Sequence, residues 1–397
     1  MMRCLPALLA VLLLSLNSPA SAQSVTKNTF RAIEHVQELM EQERYKEALV
    51  LLDALVIETR NIPYDYALAN QYLAHTSVIL DQPVKARKAL ESALGVEGIP
   101  EDMRIDLKLF YGTVLLGQEE YALATKALEE WLAAAVAPRV KQIFTVSYAN
   151  YMSGSLGRAE ELMARTFGAS IRSEIPDSWF QLYYRILFDR KKYPEAERLL
   201  FELLARDPLS EQYWRLLASH YLQLEESGDA LAAIMLSYFN GLVADPDDLK
   251  RIISLYGFID VPEKAAVLME EWLAEKKIPQ DADALKQLGN LWLLARERDK
   301  AKIALEQAAS TSADGRTFQM LGGIYFEDED WAKAHSAYQS ALRIGGLEEP
   351  LRVSLLSGIS AYRAGLTLEA RSALQEAAKS SRYKSQAESL LQRLDDA

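Results

Sequence analysis

Apolar residues recur along this chain with two periods at once. Over short stretches they fall at i, i+3, i+4 and i+7, which is one face of a helix. Over longer stretches a small-then-large pattern returns, marked by ten alanines: Ala48, Ala86, Ala124, Ala159, Ala196, Ala230, Ala265, Ala301, Ala334 and Ala370. Four places after each stands a large apolar residue, from Leu52 and Leu90 to Tyr338 and Leu374. Twelve places before, seven of the ten copies carry a second small residue: Ala74, Gly112, Ser147, Ala218, Gly289, Gly322 and Gly358. Two small positions per period, each beside bulk, predict helix pairs whose backbones approach closely. A period of about 34 residues predicts an all-α array of stacked helical hairpins.

Residues 211–244 show one period clearly. Trp214, Leu217, Ala218 and Tyr221 share one face of a first helix, Glu225-Glu226-Ser227-Gly228 form the turn, and Ala230 and Ile234 face inward from a second helix. Three copies depart from the pattern, with Val36, Tyr184 and Ile253 in place of the small residue. Their hairpins are expected to splay. The wider spacing from Ala48 to Ala86, and again from Ala86 to Ala124, predicts longer turns there. Residues 384–394 read as one more helix, apolar at Ala387, Leu390, Leu391 and Leu394, and suited to cap the array. No Pro-, Gly- or Ser-rich linker interrupts the array, and Trp131 to Ala137, before Pro138, is expected to end a helix and to mark its bend. The expected organisation is a leader over 1–22, an N-terminal region with the first degenerate hairpin over 23–60, the array over 61–380, and a cap over 381–397.

The leader is expected to be removed. Arg3 precedes an apolar run from Leu5 to Leu16, followed by Ser18-Pro19-Ala20-Ser21-Ala22, where Ala20 and Ala22 supply a cleavage signal before Gln23. That run is shorter than the roughly 20 apolar residues of a membrane anchor. The single cysteine, Cys4, lies before the run, where a lipoprotein would carry it after. The expected compartment is the periplasm, and Cys4 leaves with the leader, so no disulfide is expected in the mature chain. The formal charge is −12, and one unit more negative without Arg3. Such a chain repels phosphate backbones, which excludes nucleic acid as an expected partner.

A search for chemistry returns nothing that points to catalysis. His35, His75, His220 and His335 are scattered over different periods, and none has a histidine or cysteine at ligand spacing. His220, beside Tyr221 in a well-formed helix, reads as a packing or surface residue. No phosphate loop, nucleophile elbow or zinc-protease helix occurs. The run Glu327-Asp328-Glu329-Asp330 lacks the glycine and spacing of a calcium loop and reads as a solvated turn before Trp331. No catalytic, cofactor or metal residue is expected, and binding surface is the remaining source of function.

The W-x-x-L-A-x-x-Y run at Trp214–Tyr221 with its later alanine resembles the tetratricopeptide repeat, a helix–turn–helix of about 34 residues. Leu288-Gly289 with Trp292, Leu321-Gly322 with Tyr325, Trp331, Ala334 and Tyr338, and Tyr111-Gly112 with Tyr121 and Ala124 carry the same pattern, as do Tyr193, Ala196 and Pro208. The resemblance implies a right-handed superhelical solenoid of about ten hairpins, made irregular by the three departures. It implies a concave face lined by the first helices, at Lys141, Phe144, Tyr148 and Tyr151, then Gln181, Arg185 and Phe188, then Arg215 and Leu222, then Lys250 and Phe258. Cations among aromatics there suit a protein or peptide partner of some acidic character. The same rings also suit packing between adjacent hairpins.

The layout of leader plus array, with the passage Tyr256-Gly257-Phe258-Ile259-Asp260-Val261-Pro262-Glu263-Lys264-Ala265-Ala266, is similar to soluble exported proteins encoded beside a second TonB energy-transduction system. That resemblance implies a scaffold working with TonB, ExbB or ExbD in iron-chelate uptake. An envelope-assembly or peptidoglycan adaptor, and a periplasmic holdase chaperone, are the alternative readings.

Overall fold

A computed structural model describes residues 25–395 except 244, 312 and 313. The leader expected over residues 1–22 lies outside the described residues. All regular structure among the described residues is helical. The chain divides into two compact units, Met1–Leu203 and Leu204–Ala397. No linker marks the division, which falls inside a helix.

In the first unit the hairpins run α1 (Lys27–Glu41) with α2 (Tyr45–Glu58), α3 (Pro63–Ile79) with α4 (Pro83–Leu94), α5 (Glu101–Gly117) with α6 (Tyr121–Ala134), and α7 (Val140–Met152) with α8 (Leu156–Gly168). α9 (Asp177–Asp189) and α10 (Tyr193–Arg206) follow, and the unit boundary lies in the last turn of α10. The second unit pairs α11 (Glu211–Gln223) with α12 (Ser227–Phe239), α13 (Pro246–Phe258) with α14 (Pro262–Ala274), and α15 (Ala282–Leu294) with α16 (Arg298–Thr311). It ends in α17 (Gly315–Glu327) with α18 (Trp331–Ile344), α19 (Pro350–Arg363) with α20 (Thr367–Ala377), and the closing helix α21 (Lys384–Asp395).

The periodic alanines are the pivots of these pairs, and all ten are fully buried at 0% exposure. The small residue twelve places earlier receives the large one four places later. A Cβ at Gly112 would stand 2.5 Å from Leu128 Cγ, at Gly289 2.5 Å from Leu305 Cγ, at Gly322 2.6 Å from Tyr338, and at Gly358 2.7 Å from Leu374 Cγ. Ser147 solves the crossing differently, with its hydroxyl donating to the Ala159 carbonyl at 2.7 Å. Where bulk replaces the small residue the pair opens. α1 with Val36, and α13 with Ile253, approach their second helices less closely than the glycine-bearing pairs do.

Two expectations from spacing are corrected. The long periods at the start do not lengthen turns. They give α3 and α5 seventeen residues each, against thirteen in α7, α11 and α13. Four extra residues make about one helical turn, which extends a helix while keeping its buried face in register. The turn of the α11–α12 hairpin is also shorter than predicted, because Ser227 and Gly228 already belong to α12. The expected helix end near Pro138 is observed, with α6 stopping at Ala134.

Every hairpin reverses in the same way. The residue five places before each periodic alanine takes positive φ, between 56° and 63° at Glu43, Asp81, Glu119, Lys191, Glu225, Asp260, Arg296 and Glu329, and 85° and 74° at Gly154 and Gly365. The following amide closes the turn onto a carbonyl five residues back, as Glu226 does onto Tyr221 at 2.9 Å and Glu120 onto Leu115 at 3.0 Å. Left-handed backbone costs an ordinary L-residue about 1–2 kcal/mol. Glycine relieves that cost but loses more backbone entropy on folding. Glu119→Gly is therefore expected to stabilise the protein by about 0.5–1 kcal/mol, read as a higher urea midpoint at unchanged slope.

His75, half-buried in α3, packs its ring on Phe110 with centroids 4.3 Å apart. Burial holds its imidazole below the usual histidine range. The folded chain thus favours the neutral ring. Its contribution is complete above the unfolded value of about 6.5 and is lost as pH falls through the lowered folded value. Urea midpoints are expected to drop between pH 7 and pH 5, and His75→Phe to flatten that slope.

Candidate protein-binding surface

The positions singled out from sequence fall on first helices of both units: seven in the first and three in the second. In the first unit they lie on α7 and α9. Phe144 stacks on Trp179 with ring centroids 4.5 Å apart and planes within 10°, so this ring packs one first helix against the next. Phe188 sits between Tyr184 and Tyr193, at 5.8 and 5.2 Å. Tyr151 donates its hydroxyl to Asp189 Oδ2 at 3.1 Å. Burial and the neighbouring Asp189 charge push that phenol up to about 12. Tyr148 and Gln181 are half-buried, whereas Lys141 at the start of α7 is exposed.

Arg185 of α9 is, with Lys141, an exposed cation of this group. It is near enough to Tyr151 and Tyr184 to oppose the rise of both phenols. No ion pair engages it among the described residues. A half-buried aromatic shelf carrying one available guanidinium can hold a carboxylate or a carbonyl-rich segment, with the rings shielding the contact from water.

The three second-unit positions are arranged differently. Arg215 of α11 spans two carboxylates, Glu211 on its own helix and Asp248 on α13. Asp248 is buried and also receives Arg251 at 3.1 Å. Arg215 thus ties neighbouring first helices together, a role invisible in a pattern that treated it as free of the repeat. Lys250 lies 3.8 Å from Asp247, one helical turn away. Phe258, in the last turn of α13, is 77% exposed.

Sequence reasoning passed over two residues in the same registers. Lys286 of α15 corresponds to Lys250 and bonds Asp314 at 2.8 Å and Asp283 at 3.1 Å. That pairing raises the Lys286 ammonium pKa, and with the Arg316 amide it holds the Asp314 carboxyl below its usual range. Leu294 corresponds to Phe258, five places after the crossing residue of each helix, Gly289 and Ile253, and is 60% exposed. Counting from Gly289 would have found it.

His220, His335 and the acidic run take part in packing, capping and ion pairing. His220 is buried with its ring against Tyr221. His335 is buried with Nδ1 at 3.0 Å from the Ser357 hydroxyl. In the acidic run Asp330 caps α18 and Asp328 takes Lys302 at 2.8 Å. Among the described residues no three His, Cys, Asp or Glu side chains gather as metal ligands, and no helix is long and apolar enough to cross a membrane.

A family model described as tetratricopeptide repeat matches residues 185–247 and 320–386. Those two stretches carry the tetratricopeptide pattern. They hold hairpins of both kinds, those with a glycine crossing and that with Ala218. Among solved structures, the C-terminal part of a TPR repeat-containing protein from Cytophaga hutchinsonii is 14% identical, covers 62% of this chain and 98% of that one, and superposes with a TM-score of 0.42. MamA from Desulfovibrio magneticus is 19% identical, covers 48% of this chain and 99% of that one, with a TM-score of 0.35. The hetero-tetramer Cut9-Hcn1 of the APC/C is 13% identical, covers 93% of this chain and 96% of that one, also with a TM-score of 0.35. No curated protein matches the chain. The tetratricopeptide solenoid is the fold class expected from the sequence, and it is a fold of protein–protein interaction scaffolds.

Proposed function

We propose that this chain is an exported, non-enzymatic adaptor that holds a protein partner, and that the partner is a periplasmic part of a TonB–ExbB–ExbD system for iron-chelate uptake. The observation that carries the adaptor reading is the pairing of tetratricopeptide repeats with an available guanidinium, Arg185, on a shelf of half-buried rings. Export rests on the leader pattern ending at Ala22, and the TonB assignment on the likeness of layout and of the Tyr256–Ala266 passage. In this role no bond is made or broken. The energised membrane complex supplies force, and the adaptor positions one of its periplasmic segments.

The test is brief crosslinking of envelopes followed by purification of the tagged mature protein and mass identification of what is bound. Recovery of TonB, ExbB or ExbD is the expected result, and Arg185→Glu should reduce it without moving Tm. Recovery of barrel-assembly or cell-wall proteins instead overturns the TonB assignment. Arg215→Glu makes a poor probe. It sets a carboxylate beside buried Asp248 and is expected to cost on the order of 1 kcal/mol of stability, the other side chain being half-exposed.

A further inference from the structure

The second unit presents an apolar edge of its own. Leu222, Phe258 and Leu294 end three successive first helices, α11, α13 and α15, and are 39%, 77% and 60% exposed. Single exposed leucines are ordinary on protein surfaces. Phe258 and Leu294 share one register, five places after Ile253 and Gly289, and Leu222 stands one place earlier, four after Ala218. An exposed apolar side chain in the last turn of three consecutive first helices is not required by the repeat, which needs only the residues buried further back. Arg215 links α11 to α13, and packed helices as a rule lie about 8–10 Å apart. Side chains at that interval meet every third residue of an extended segment, at about 3.3 Å per residue, or every seventh of a helix, at about 1.5 Å per residue.

The charges beside this edge have a sign. The cations of these first helices are engaged: Arg215 with Asp248, Lys286 with Asp314, and Lys250 beside Asp247. The adjoining turns and second-helix starts carry Glu225, Glu226, Asp229, Asp260 and Glu263, and no ion pair engages any of them among the described residues. Lys264 and Arg296 are the opposing charges there without an ion pair, while Arg298 and Lys300 are held by Glu327 and Glu297. In the next hairpin Glu327 occupies the register of Leu294, and Glu329 the turn.

We propose that this edge docks a basic segment of a partner protein, with apolar side chains about 10 Å apart seated on Leu222, Phe258 and Leu294 and lysines or arginines set against the turn carboxylates. In the second unit the edge reverses the partner charge expected from sequence, because its two cations that suggested an acidic ligand, Arg215 and Lys250, face carboxylates of the fold. A second copy of this chain, at a net charge of −12, is a poor occupant. The inference rests on the adaptor reading but uses second-unit residues alone, so it can fail separately.

The probes are two fluorescent lysine-rich peptides, one with leucine at every third residue and one at every seventh, and their glutamate-rich twins, titrated into the full mature chain. At least one lysine-rich peptide is expected to bind, to weaken as salt rises, and to lose at least about tenfold in affinity to the Phe258→Glu, Leu294→Glu double variant. Both side chains are exposed, so the variant should keep its circular dichroism and Tm, and Phe258→Ser with Leu294→Ser provides a charge-neutral check. Failure of both lysine-rich peptides, equal binding by a glutamate twin, or undiminished binding to both double variants overturns the proposal. If these fail while crosslinking still recovers a partner, the edge is wrong and the adaptor stands. If the peptides bind and crosslinking recovers nothing, the adaptor reading falls instead.

Discussion

Trp272→Ala is expected to remove about 3–5 kcal/mol of stability, the largest loss of any single truncation in the second unit. The side chain is fully buried in α14. Its indole Nε1 donates to the Tyr238 hydroxyl at 2.8 Å, and the two rings meet edge to face with centroids 5.3 Å apart. Tyr238 belongs to α12, so one side chain joins two hairpins by apolar burial and by a hydrogen bond. Truncation opens a cavity between hairpins that cannot bury their apolar faces alone. For a unit of this size the loss should lower Tm by about 10 °C in a calorimetric scan. Trp272→Phe should cost clearly less, since it keeps most of the volume and Tyr238 retains Lys277 at 3.0 Å. Equal losses for the two variants would show that the hydrogen bond, rather than the packing, dominates this joint.

Gly315→Ala is expected to cost about 3 kcal/mol, at the upper end of overpacking effects, for the addition of one methyl group. A Cβ at the first residue of α17 would lie 2.2 Å from the Gly345 carbonyl oxygen and 2.7 Å from that of Ala341. Both obstacles are backbone, so no rotamer change relieves them. At Gly112, Gly289 and Gly358 the nearest obstacle is a leucine side chain, which can shift at lower cost. Alanine at Gly358 is therefore expected to cost less than alanine at Gly315. Urea denaturation of the two variants side by side checks that order. Equal costs would mean that α17 and the end of α18 slide apart more readily than the packing implies.

The architecture was readable because its signal is arithmetic. Residue size at two positions per period decides whether helices can cross, and Ala48 through Ala370 occupy the crossings they were expected to occupy. The splaying of pairs with Val36 and Ile253 follows from the same rule. What escaped depends on partners distant in sequence. Arg215 finds Asp248 thirty-three residues away, and nothing in its own helix announces that. Phe144 was weighed as a ligand contact or a packing ring, and Trp179 makes it a packing contact. The extra turn in α3 and α5 was misplaced because spacing counts residues without saying whether they are helical. The left-handed reversals were unreadable for another reason. Eight of the ten carry charged residues where glycine would have advertised the conformation.

Those reversals have a consequence for how such a protein can change. Closure by backbone hydrogen bonds leaves the side chain at each reversal without a packing duty, and aspartate, glutamate, lysine and arginine all occupy it in this one chain. The electrostatic character of the hairpin ends can therefore drift from copy to copy while the crossings stay fixed. Surface charge and helix crossing are thus written in different residues of the same repeat.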